Sequence, residues 1–303
     1  MRISWEQPHT TGGTIVLGMF DGVHIGHRAL FEEAARAGRP LTVCTFARHP
    51  MEVLRPDRPV GMLMTLMQKL RAFNDNGADE TVLMRFDARF AGMEPADFLD
   101  RLRRDFAPAC VVAGYNYTFG HMGRGDTEML RRYGEEHGFG VRIVPPVISG
   151  GEPVSSTRIR EFVRAGSIAE AAELLGRPYE LTGTVVKGKG IGRTIGFPTA
   201  NIQTAPSVLK PARGVYTGTL LADGKVYGAL TNIGLQPTVP SGAETVETHI
   251  PGYSPDLYGK NVRLILTAKL RDEIRFENTE QLRQQIRKDC EAVRNVHSGH
   301  TVT

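Results

Sequence analysis

The chain has 303 residues, of which 41% are hydrophobic and 23% are charged. This length exceeds the roughly 100–150 residues of the commonest single domain, so two domains are expected. The composition excludes a disordered, collagen-like or disulfide-scaffold protein. Lysine and arginine number 37 against 33 aspartate and glutamate residues, an excess too thin for a dedicated nucleic-acid binder.

The cysteines and the apolar segments bear on where the protein works. Three cysteines, odd in number and far apart in sequence, are expected to be reduced core residues: Cys44, Cys110 and Cys290. The amino terminus lacks the apolar run of a signal peptide, and no stretch of ~18 consecutive apolar residues could span a bilayer. We therefore expect a cytoplasmic protein with no nucleic-acid or membrane partner. Whether it forms a homo-oligomer stays open.

The first half of the chain alternates short β-type runs with segments of helical period. The predicted strands are 14–17, 41–46, 81–84, 110–113 and 141–144. The predicted helices are 28–37, 65–75, 95–105 and 127–137. This alternation predicts an α/β domain with a doubly wound parallel sheet, in which ligands bind at the carboxyl ends of the strands.

The pattern changes in the second half. Ser155 and Ser156 open a helix, and residues 167–170 predict a capping box that begins another. After residue 178 the runs become β-like without crossover-length helices between them, at 181–187, 215–221, 225–232 and 261–267. This pattern predicts an antiparallel β-barrel, with a terminal helix at 278–294 packed on it. The predicted domains are residues 1–178 and 179–303.

A loop that joins the first predicted strand to the first predicted helix is a candidate phosphate site. Residues 18–27 read Gly-Met-Phe-Asp-Gly-Val-His-Ile-Gly-His. The glycines let a ligand approach the backbone, and the helix N-terminus offers free N–H groups and a partial positive charge. His24 and His27 can both donate hydrogen bonds to one phosphate as negative charge builds on it. Such a site requires no covalent nucleophile.

Other interpretations of this loop are less favoured. A zinc site of His24, His27 and His49 is weakened by the absence of a nearby cysteine. A dinucleotide fingerprint is excluded because Gly-x-Gly-x-x-Gly is missing. His-x-Gly-His after a first strand resembles the nucleotidyltransferase superfamily, which transfers an adenylyl or cytidylyl group and releases pyrophosphate. The segment from Ser155 through Thr157 to Arg158 resembles its second hallmark, with hydroxyls and arginines that hold the pyrophosphate.

A glycine-rich loop in the second half is the other candidate site. Residues 183–189 nearly spell a Walker A loop, but Gly190 stands where Ser or Thr is required and no helix is predicted to follow, so that motif is rejected. The loop could still cradle phosphates, and Thr199 and Asn201 offer oxygen atoms to a magnesium ion that bridges them. Glu247 is either a general base for a substrate hydroxyl or a solvated surface charge.

Along nearly its whole length, the chain resembles the bifunctional prokaryotic riboflavin kinase/FAD synthetase family. The segments that resemble its FMN adenylyltransferase half are 18–27, 45–46, 49–50, 114–120 and 155–160. The segments that resemble its riboflavin kinase half are 196–201, 211–216, 232–234, 237–238, 247–249, 256–259 and 285–289. Because these separated motifs occur in the family's order, chance is a poor explanation for them.

The resemblance implies two reactions and a role for each motif. The C-terminal half would phosphorylate riboflavin with MgATP, with Glu247 as base and with Thr199 and Asn201 at the metal and phosphates. The N-terminal half would adenylylate FMN with ATP, with His24, His27 and Arg158 as catalytic residues. Riboflavin, FMN and ATP would thus be its small-molecule partners. Further nucleotide or phosphate contacts are implied at Gly18, Phe20, Asp21, Gly22, Gly26, Ser155, Ser156, Thr157, Gly190, Gly192, Arg193, Gly196 and Pro198, and flavin contacts at Asn116, Tyr117 and Arg213.

Several substrate-side positions depart from the family's usual pattern: Met19, Asn116, Gly123, Ile191, Gln236 and 251–254. These departures support a second hypothesis, a paralogue that uses another nucleotide such as CTP, accepts another substrate or keeps one activity. A third hypothesis is a flavin- or nucleotide-binding regulator without catalysis. The retention of His24, His27 and Glu247 argues against it, because a pure binder needs neither a base nor a phosphate clamp.

Overall fold

The computed structural model describes residues 2–6, 10–188, 190–235 and 244–297. The chain divides into two compact units, Met1–Ser156 and Thr157–Thr303. This division leaves residues 157–178, which the sequence analysis assigned to the first domain, in the second unit. The predicted boundary after residue 178 stays a prediction.

The first unit is a parallel sheet flanked by helices, as predicted. Its strands are β1 (Arg2–Ser4), β2 (Thr14–Leu17), β3 (Leu41–Phe46), β4 (Glu80–Met84), β5 (Cys110–Gly114) and β6 (Gly140–Val144). They pair in parallel in the order β1-β4-β3-β2-β5-β6. Its helices are α1 (Ile25–Ala37), α2 (Pro50–Leu54), α3 (Leu66–Asp75), α4 (Ala88–Ala91), α5 (Pro95–Phe106) and α6 (Thr127–His137). A short hairpin, β7 (Ile148–Ser149) and β8 (Glu152–Pro153), follows.

Two apolar cores lie on opposite faces of this sheet, because successive strand residues point to opposite sides. Ile15 and Leu17 pack with residues of α5 and α6 on one face. Val16 packs with residues of α1 and α3 on the other. Cys44 and Cys110 are buried free thiols within these cores, as expected.

The strand order creates a crevice at the centre of the sheet. β2 pairs with β3 on one side and with β5 on the other. From β2 the chain builds the sheet outward through β3 and β4, and it then crosses back to build β5 and β6. In open α/β sheets, ligands bind at such a switch point, outside the carboxyl ends of the strands. The loops that follow β2 and β5 therefore border the expected ligand site.

The described strands of the second unit close into an antiparallel barrel, also as predicted. They are β9 (Tyr179–Val186), β10 (Thr199–Thr204), β11 (Gly214–Ala222), β12 (Lys225–Leu235), β13 (Glu244–His249) and β14 (Asn261–Arg271). The barrel order is β10-β13-β12-β11-β14-β9. The accompanying helices are α7 (Ser156–Ala165), α8 (Ile168–Leu175), the one-turn α9 (Ile191–Thr194) and α10 (Thr279–His297).

Some local predictions were wrong. The capping box at 167–170 does not form, because Ser167 has ψ 68 rather than an extended backbone and its side chain makes no cap hydrogen bond. A short helix, α9, does follow the glycine-rich loop, although it lasts only one turn. Strands β1, β7, β8, β10 and β13 and helices α2 and α4 were missed. Strands β10 and β13 carry many polar residues, so alternation of apolar residues does not mark them.

The terminal helix α10 packs on the barrel through apolar contacts and an ion pair. Cys290 and Val293 form a buried cluster with Val215 and Leu230 of the barrel. Asp289 of α10 is only 3% exposed. Its carboxylate accepts hydrogen bonds from the guanidinium of Arg271 on β14 at 3.2, 3.0 and 2.7 Å. The amide of Gln285 donates a further hydrogen bond to Asp289 at 2.8 Å.

We expect Asp289→Ala to lower the free energy of unfolding by about 3 kcal/mol, because it leaves the Arg271 guanidinium largely buried without its partner. Chemical denaturation of the full chain measures this loss. The matched control is Asp272→Ala, which removes an exposed carboxylate close to the same strand. An equal effect of the two substitutions would contradict a role for the Arg271–Asp289 pair in holding α10.

Candidate active sites in the two units

The turn between β2 and α1 has an unusual backbone. Phe20 has φ 53, Gly22 has φ 85 and Val23 has φ 40. Positive φ is uncommon for residues with a side chain and, for a β-branched residue such as Val23, a genuine outlier, so the surrounding structure must hold this turn in place. Gly18 belongs to the same arrangement, because a Cβ atom there would lie 2.8 Å from the ring of Phe20.

The two histidines lie together at the start of α1. The Nδ1 atom of His24 accepts a hydrogen bond from the backbone N–H of His27 at 3.2 Å. The two rings stack with centroids 3.5 Å apart. Since Nδ1 of His24 is an acceptor, its Nε2 atom carries the proton and is a donor. Gly26 permits this packing, since a Cβ atom there would lie 3.1 Å from Nδ1 of His24.

Asp21 connects this turn to two other segments of the first unit. Its side chain is 1% exposed, and both carboxylate oxygens accept from the backbone N–H of Leu63, at 3.0 and 3.1 Å. Its backbone carbonyl accepts from the hydroxyl of Ser156 at 2.8 Å. The predicted phosphate-loop residue Asp21 and the predicted pyrophosphate residue Ser156 are therefore in direct contact.

The remaining residues predicted for this site lie as follows. Ser155 is half-buried and immediately precedes α7, while Thr157 and Arg158 lie in the first turn of that helix. The guanidinium of Arg158 lies 5.7 Å from the ring centroid of Phe162. Thr157 and Arg158 belong to the second compact unit.

The predicted flavin residues of the first half follow β5, the neighbour of β2 in the sheet. Asn116 is exposed. Tyr117 is half-buried, and its ring stacks on Phe119 with centroids 5.9 Å apart. Burial, together with nearby Cys44, raises the pKa of Tyr117, so its hydroxyl is a neutral donor at ordinary pH.

The zinc interpretation finds no support. The side chain of His49 caps α2 by accepting the backbone N–H of Met51 at 3.2 Å. Within the described ranges, no group of three or more His, Cys, Asp or Glu residues could hold a metal ion.

In the second unit, the glycine-rich loop folds tightly against β10. A Cβ atom at Gly188 would lie 2.2 Å from the side-chain amide of Asn201. A Cβ atom at Gly192 would lie 2.4 Å from the carbonyl of Phe197 and 3.3 Å from the hydroxyl of Thr199. Gly190 and Gly196 adopt φ 73 and 83. The loop thus brings its backbone to the two predicted metal ligands.

The barrel register places Glu247 in a row with two asparagines. Asn201 on β10 lies directly opposite Glu247 on β13, and Glu247 lies directly opposite Asn232 on β12. Directly opposite residues project from the same side of a sheet, with Cβ atoms about 4.5–5.5 Å apart. The predicted base and a predicted metal ligand are therefore neighbours, and Asn232 is the third residue of this row.

This row lies on the outer face of the barrel. Val215 continues the row on β11 and packs against α10. The neighbouring residues Thr231 and Thr248 point inward, where their hydroxyls form a buried hydrogen bond of 3.0 Å. Arg213, the predicted flavin residue, is exposed just before β11, two residues from Val215.

A cavity of about 270 Å³ adjoins the glycine-rich loop. Arg193, Pro198 and Thr199 line one side of it, and Tyr253 and Asp256 line another. The ring of Tyr253 stacks on Tyr227 with centroids 5.3 Å apart. Polar groups from the loop and an aromatic face are suited to a nucleotide, whose phosphates are anionic and whose base stacks.

Asn232 and Tyr253 were not among the predicted site residues. The sequence signal for Asn232 was its motif Asn-Ile-Gly, and Tyr253 lies in the stretch 251–254 that departs from the family pattern. Neither signal placed them near Glu247 or the loop, because β13 was missed. Gln236, Pro237 and Thr238 lie outside the described residues.

His249 supports the start of β10. Its Nδ1–H donates to the carbonyl of Pro198 at 2.8 Å, and its ring meets Phe197 edge to face. Burial lowers the pKa of His249 below its usual 6.5, although the hydrogen bond opposes this shift. The neutral ring thus fixes the residue that precedes Thr199.

Comparisons with known proteins divide the chain in the same way. A family model described as FAD synthetase matches residues 6–158, and one described as riboflavin kinase matches residues 175–297. The bifunctional riboflavin kinase/FMN adenylyltransferase of Escherichia coli K12 is 36% identical, over 94% of this chain and 92% of its own length. The protein of that name from Listeria monocytogenes is 34% identical, over 91% and 89%.

A solved structure also matches nearly the whole chain. It is titled a macrolide-efflux protein from Streptococcus pneumoniae, with a TM-score of 0.90 and 32% identity over 97% of this chain and 98% of that one. In the part of this chain that the structure describes, no helix has the length and apolar character needed to cross a membrane.

Fold, sites and matches define a two-module transferase class, in which a nucleotidyltransferase-type α/β unit precedes a kinase-type barrel. The chain belongs to the bifunctional riboflavin kinase/FMN adenylyltransferase family.

We expect the stability of the chain to fall as the pH is lowered from about 7 to about 5, partly through His249, because its lowered pKa lets the unfolded state take up the proton first. His249→Gln should show a smaller fall, measured by chemical denaturation at each pH. The control is His137→Gln, at an exposed histidine of α6. If His249→Gln loses as much stability as the parent over this pH range, burial of His249 does not control this response.

Proposed function

We propose that the chain makes FAD from riboflavin in two ATP-dependent steps, phosphorylation to FMN in the barrel unit and adenylylation of FMN in the α/β unit. The observation that carries the proposal is that both family models match in order, each on the unit that holds the corresponding candidate site. The relatives from Escherichia coli and Listeria monocytogenes are named for both activities.

In the kinase step, Glu247 accepts the proton of the terminal ribityl hydroxyl of riboflavin. The hydroxyl oxygen attacks the γ-phosphorus of ATP, the bond to the β-phosphate bridging oxygen breaks, and ADP leaves. Asn201 and Asn232, on either side of Glu247, orient its carboxylate. Catalysis of this kind rests mainly on positioning and on stabilising charge.

Thr199 and Asn201 would hold magnesium in this step. They project from the same side of β10, two residues apart, and both border the glycine-rich loop. A hydroxyl and an amide oxygen are hard ligands that suit Mg²⁺, which usually keeps waters and binds substrate phosphates. The ion, when bound, neutralises charge that develops on the phosphates.

In the second step, a phosphate oxygen of FMN attacks the α-phosphorus of ATP, and pyrophosphate leaves as the α–β bridging bond breaks. The attacking phosphate is already an anion, so no general base is needed. His24 donates from Nε2, and His27 beside it supplies a second ring, at the N-terminus of α1. Ser155, Ser156 and Arg158 steady the pyrophosphate.

The other assigned contacts complete this proposal. Gly18, Gly22 and Gly26 shape the phosphate turn with Phe20 and Asp21. Thr157 contributes at the start of α7. Gly190, Gly192, Arg193, Gly196 and Pro198 surround the ATP phosphates of the kinase step. Asn116, Tyr117 and Arg213 contact the flavins. The cytoplasmic location and the absence of a nucleic-acid partner stay predictions from the sequence, and a homo-oligomer stays open.

A changed nucleotide is the second candidate. Tyr253 and Ser254, in the stretch that departs from the family pattern, line the cavity beside the glycine-rich loop. Because these residues line the cavity beside the glycine-rich loop, their departure from the family pattern favours a different nucleotide in the kinase step, such as CTP.

A product assay by mass spectrometry tests both candidates. The purified chain is incubated with riboflavin or with FMN, together with magnesium and either ATP or CTP. FMN from riboflavin and FAD from FMN, both with ATP, are expected. FMN formed with CTP and not with ATP would support the changed nucleotide of the kinase step, a cytidylyl product from FMN would indicate a changed nucleotide in the α/β unit, and the absence of any product would contradict both candidates.

Two substitutions should separate the activities. We expect His27→Ala to lower FAD formation by about 10²–10³-fold, since it removes a charge-stabilising donor, and to leave riboflavin phosphorylation unchanged. Glu247→Ala should lower phosphorylation by about 10²–10⁴-fold and leave FAD formation unchanged. The matched controls are His137→Ala and Glu244→Gln, at exposed positions in the same units. Loss of both activities in either variant would contradict two independent sites.

A further inference from the structure

Lys69 on α3 is a buried lysine that no part of the proposed mechanism uses. It is 1% exposed, and its Nζ atom donates to the backbone carbonyl of Phe46 at 3.0 Å. Phe46 is the last residue of β3. Lysine is almost never fully buried unless it is paired, so the burial of Lys69 requires an explanation.

The charge of the Asp21 carboxylate also acts on Lys69. Burial lowers the pKa of Lys69 to about 7, and the charge of Asp21 opposes that shift. Both side chains are 1% exposed. A buried carboxylate and a buried ammonium compensate each other, and the removal of one leaves the other as an uncompensated charge.

Asp21 lies in the strained turn that leads to His24. It directly precedes Gly22 and Val23, whose φ values are 85 and 40, and its backbone carbonyl receives the hydroxyl of Ser156. A displacement of the Asp21 side chain would therefore also displace the turn that positions His24.

The second contact of Lys69 fixes the neighbouring strand end. Its ammonium holds the carbonyl of Phe46, and the residue before it, Thr45, donates from its hydroxyl to the carbonyl of Met19 at 3.1 Å. Met19 belongs to the same turn as Asp21. Lys69 thus reaches the turn by two routes, through Asp21 and through the end of β3.

We propose that Lys69 is a positioning residue for adenylyl transfer, whose buried Nζ atom holds the Phe46 carbonyl at the end of β3, acts on Asp21 through its charge, and so fixes the turn that carries His24 and His27. This inference rests on the proposed function of the first unit. Lys69 does not touch the reacting atoms. It acts on the geometry in which the histidines meet the phosphates, and a misplacement of about 1 Å there costs about 10²-fold in rate.

Lys69→Met tests this, because methionine nearly keeps the length of the side chain and removes the ammonium. The expected result is a fall of about 10²-fold in kcat for FAD formation from FMN. KM for FMN and for ATP should change little, because the substitution misplaces the phosphate turn and leaves the rest of both substrate pockets intact. Riboflavin phosphorylation by the same chain should be unchanged.

The matched control is Leu70→Ala on the same helix. Leu70 carries no charge and packs against the core cluster that contains Val16 and Phe73 together with Phe20 and Val23 of the turn. It reports what a loss of packing on α3 does to the rate. Equal falls in kcat for Lys69→Met and Leu70→Ala, at equal losses of thermal stability, would overturn the inference.

A second measurement uses the Asp21 background. If Lys69 acts through the charge of Asp21, Lys69→Met should lower kcat much less in a chain that already carries Asp21→Asn. A full and equal fall in both backgrounds would overturn the route through Asp21. A parent chain that forms no FAD would overturn the proposed function, whereas an active parent with an unimpaired Lys69→Met variant overturns this inference alone.

Discussion

The buried carboxylate of Asp21 is the interaction on which the first site depends. A turn with positive φ at Phe20 and Val23 does not persist by local preference, so it must be held by contacts from elsewhere. Asp21 supplies them through the N–H of Leu63 and the hydroxyl of Ser156. The stacked pair of histidines at the start of α1 follows directly from that turn. The catalytic geometry of this unit is thus anchored in its core.

In the second unit, strand register brings the residues of the candidate site together. Antiparallel pairing brings Asn201, Glu247 and Asn232 from three strands into one row, although they are far apart in sequence. The glycine-rich loop closes on one end of this row because Gly188 and Gly192 leave no room for a side chain. α10, held by the Arg271–Asp289 pair, packs on the same outer face. A flat row of polar side chains becomes a site only when a loop and a helix border it.

The two proposed sites both stabilise charge on phosphates, but they use different residues to do so. In the proposed mechanism, both place backbone N–H groups and neutral or cationic donors where ATP phosphates would bind, which matches transfers in which charge stabilisation is the main task. They differ at the nucleophile. A ribityl hydroxyl must lose a proton, and Glu247 is the base that we propose for it. The phosphate of FMN is already an anion, so the proposed second step assigns no carboxylate as a base. The proposed product of the second unit is then the substrate of the first.

The sequence alone determined both fold types, most strand and helix positions, and the residues of the phosphate turn and the glycine-rich loop. These features are local, since periodicity and glycine spacing are properties of short segments. Only the tertiary structure determined which residues that are distant in sequence come into contact. It placed Asn232 beside Glu247, Ser156 against Asp21, and Lys69 against the carbonyl of Phe46. None of these contacts has a local signature, because each joins residues that are far apart in sequence. Lys69, for example, has the sequence context of an ordinary helical lysine. Lys69 becomes buried only when α3 packs on the sheet, where its Nζ atom donates to the carbonyl of Phe46.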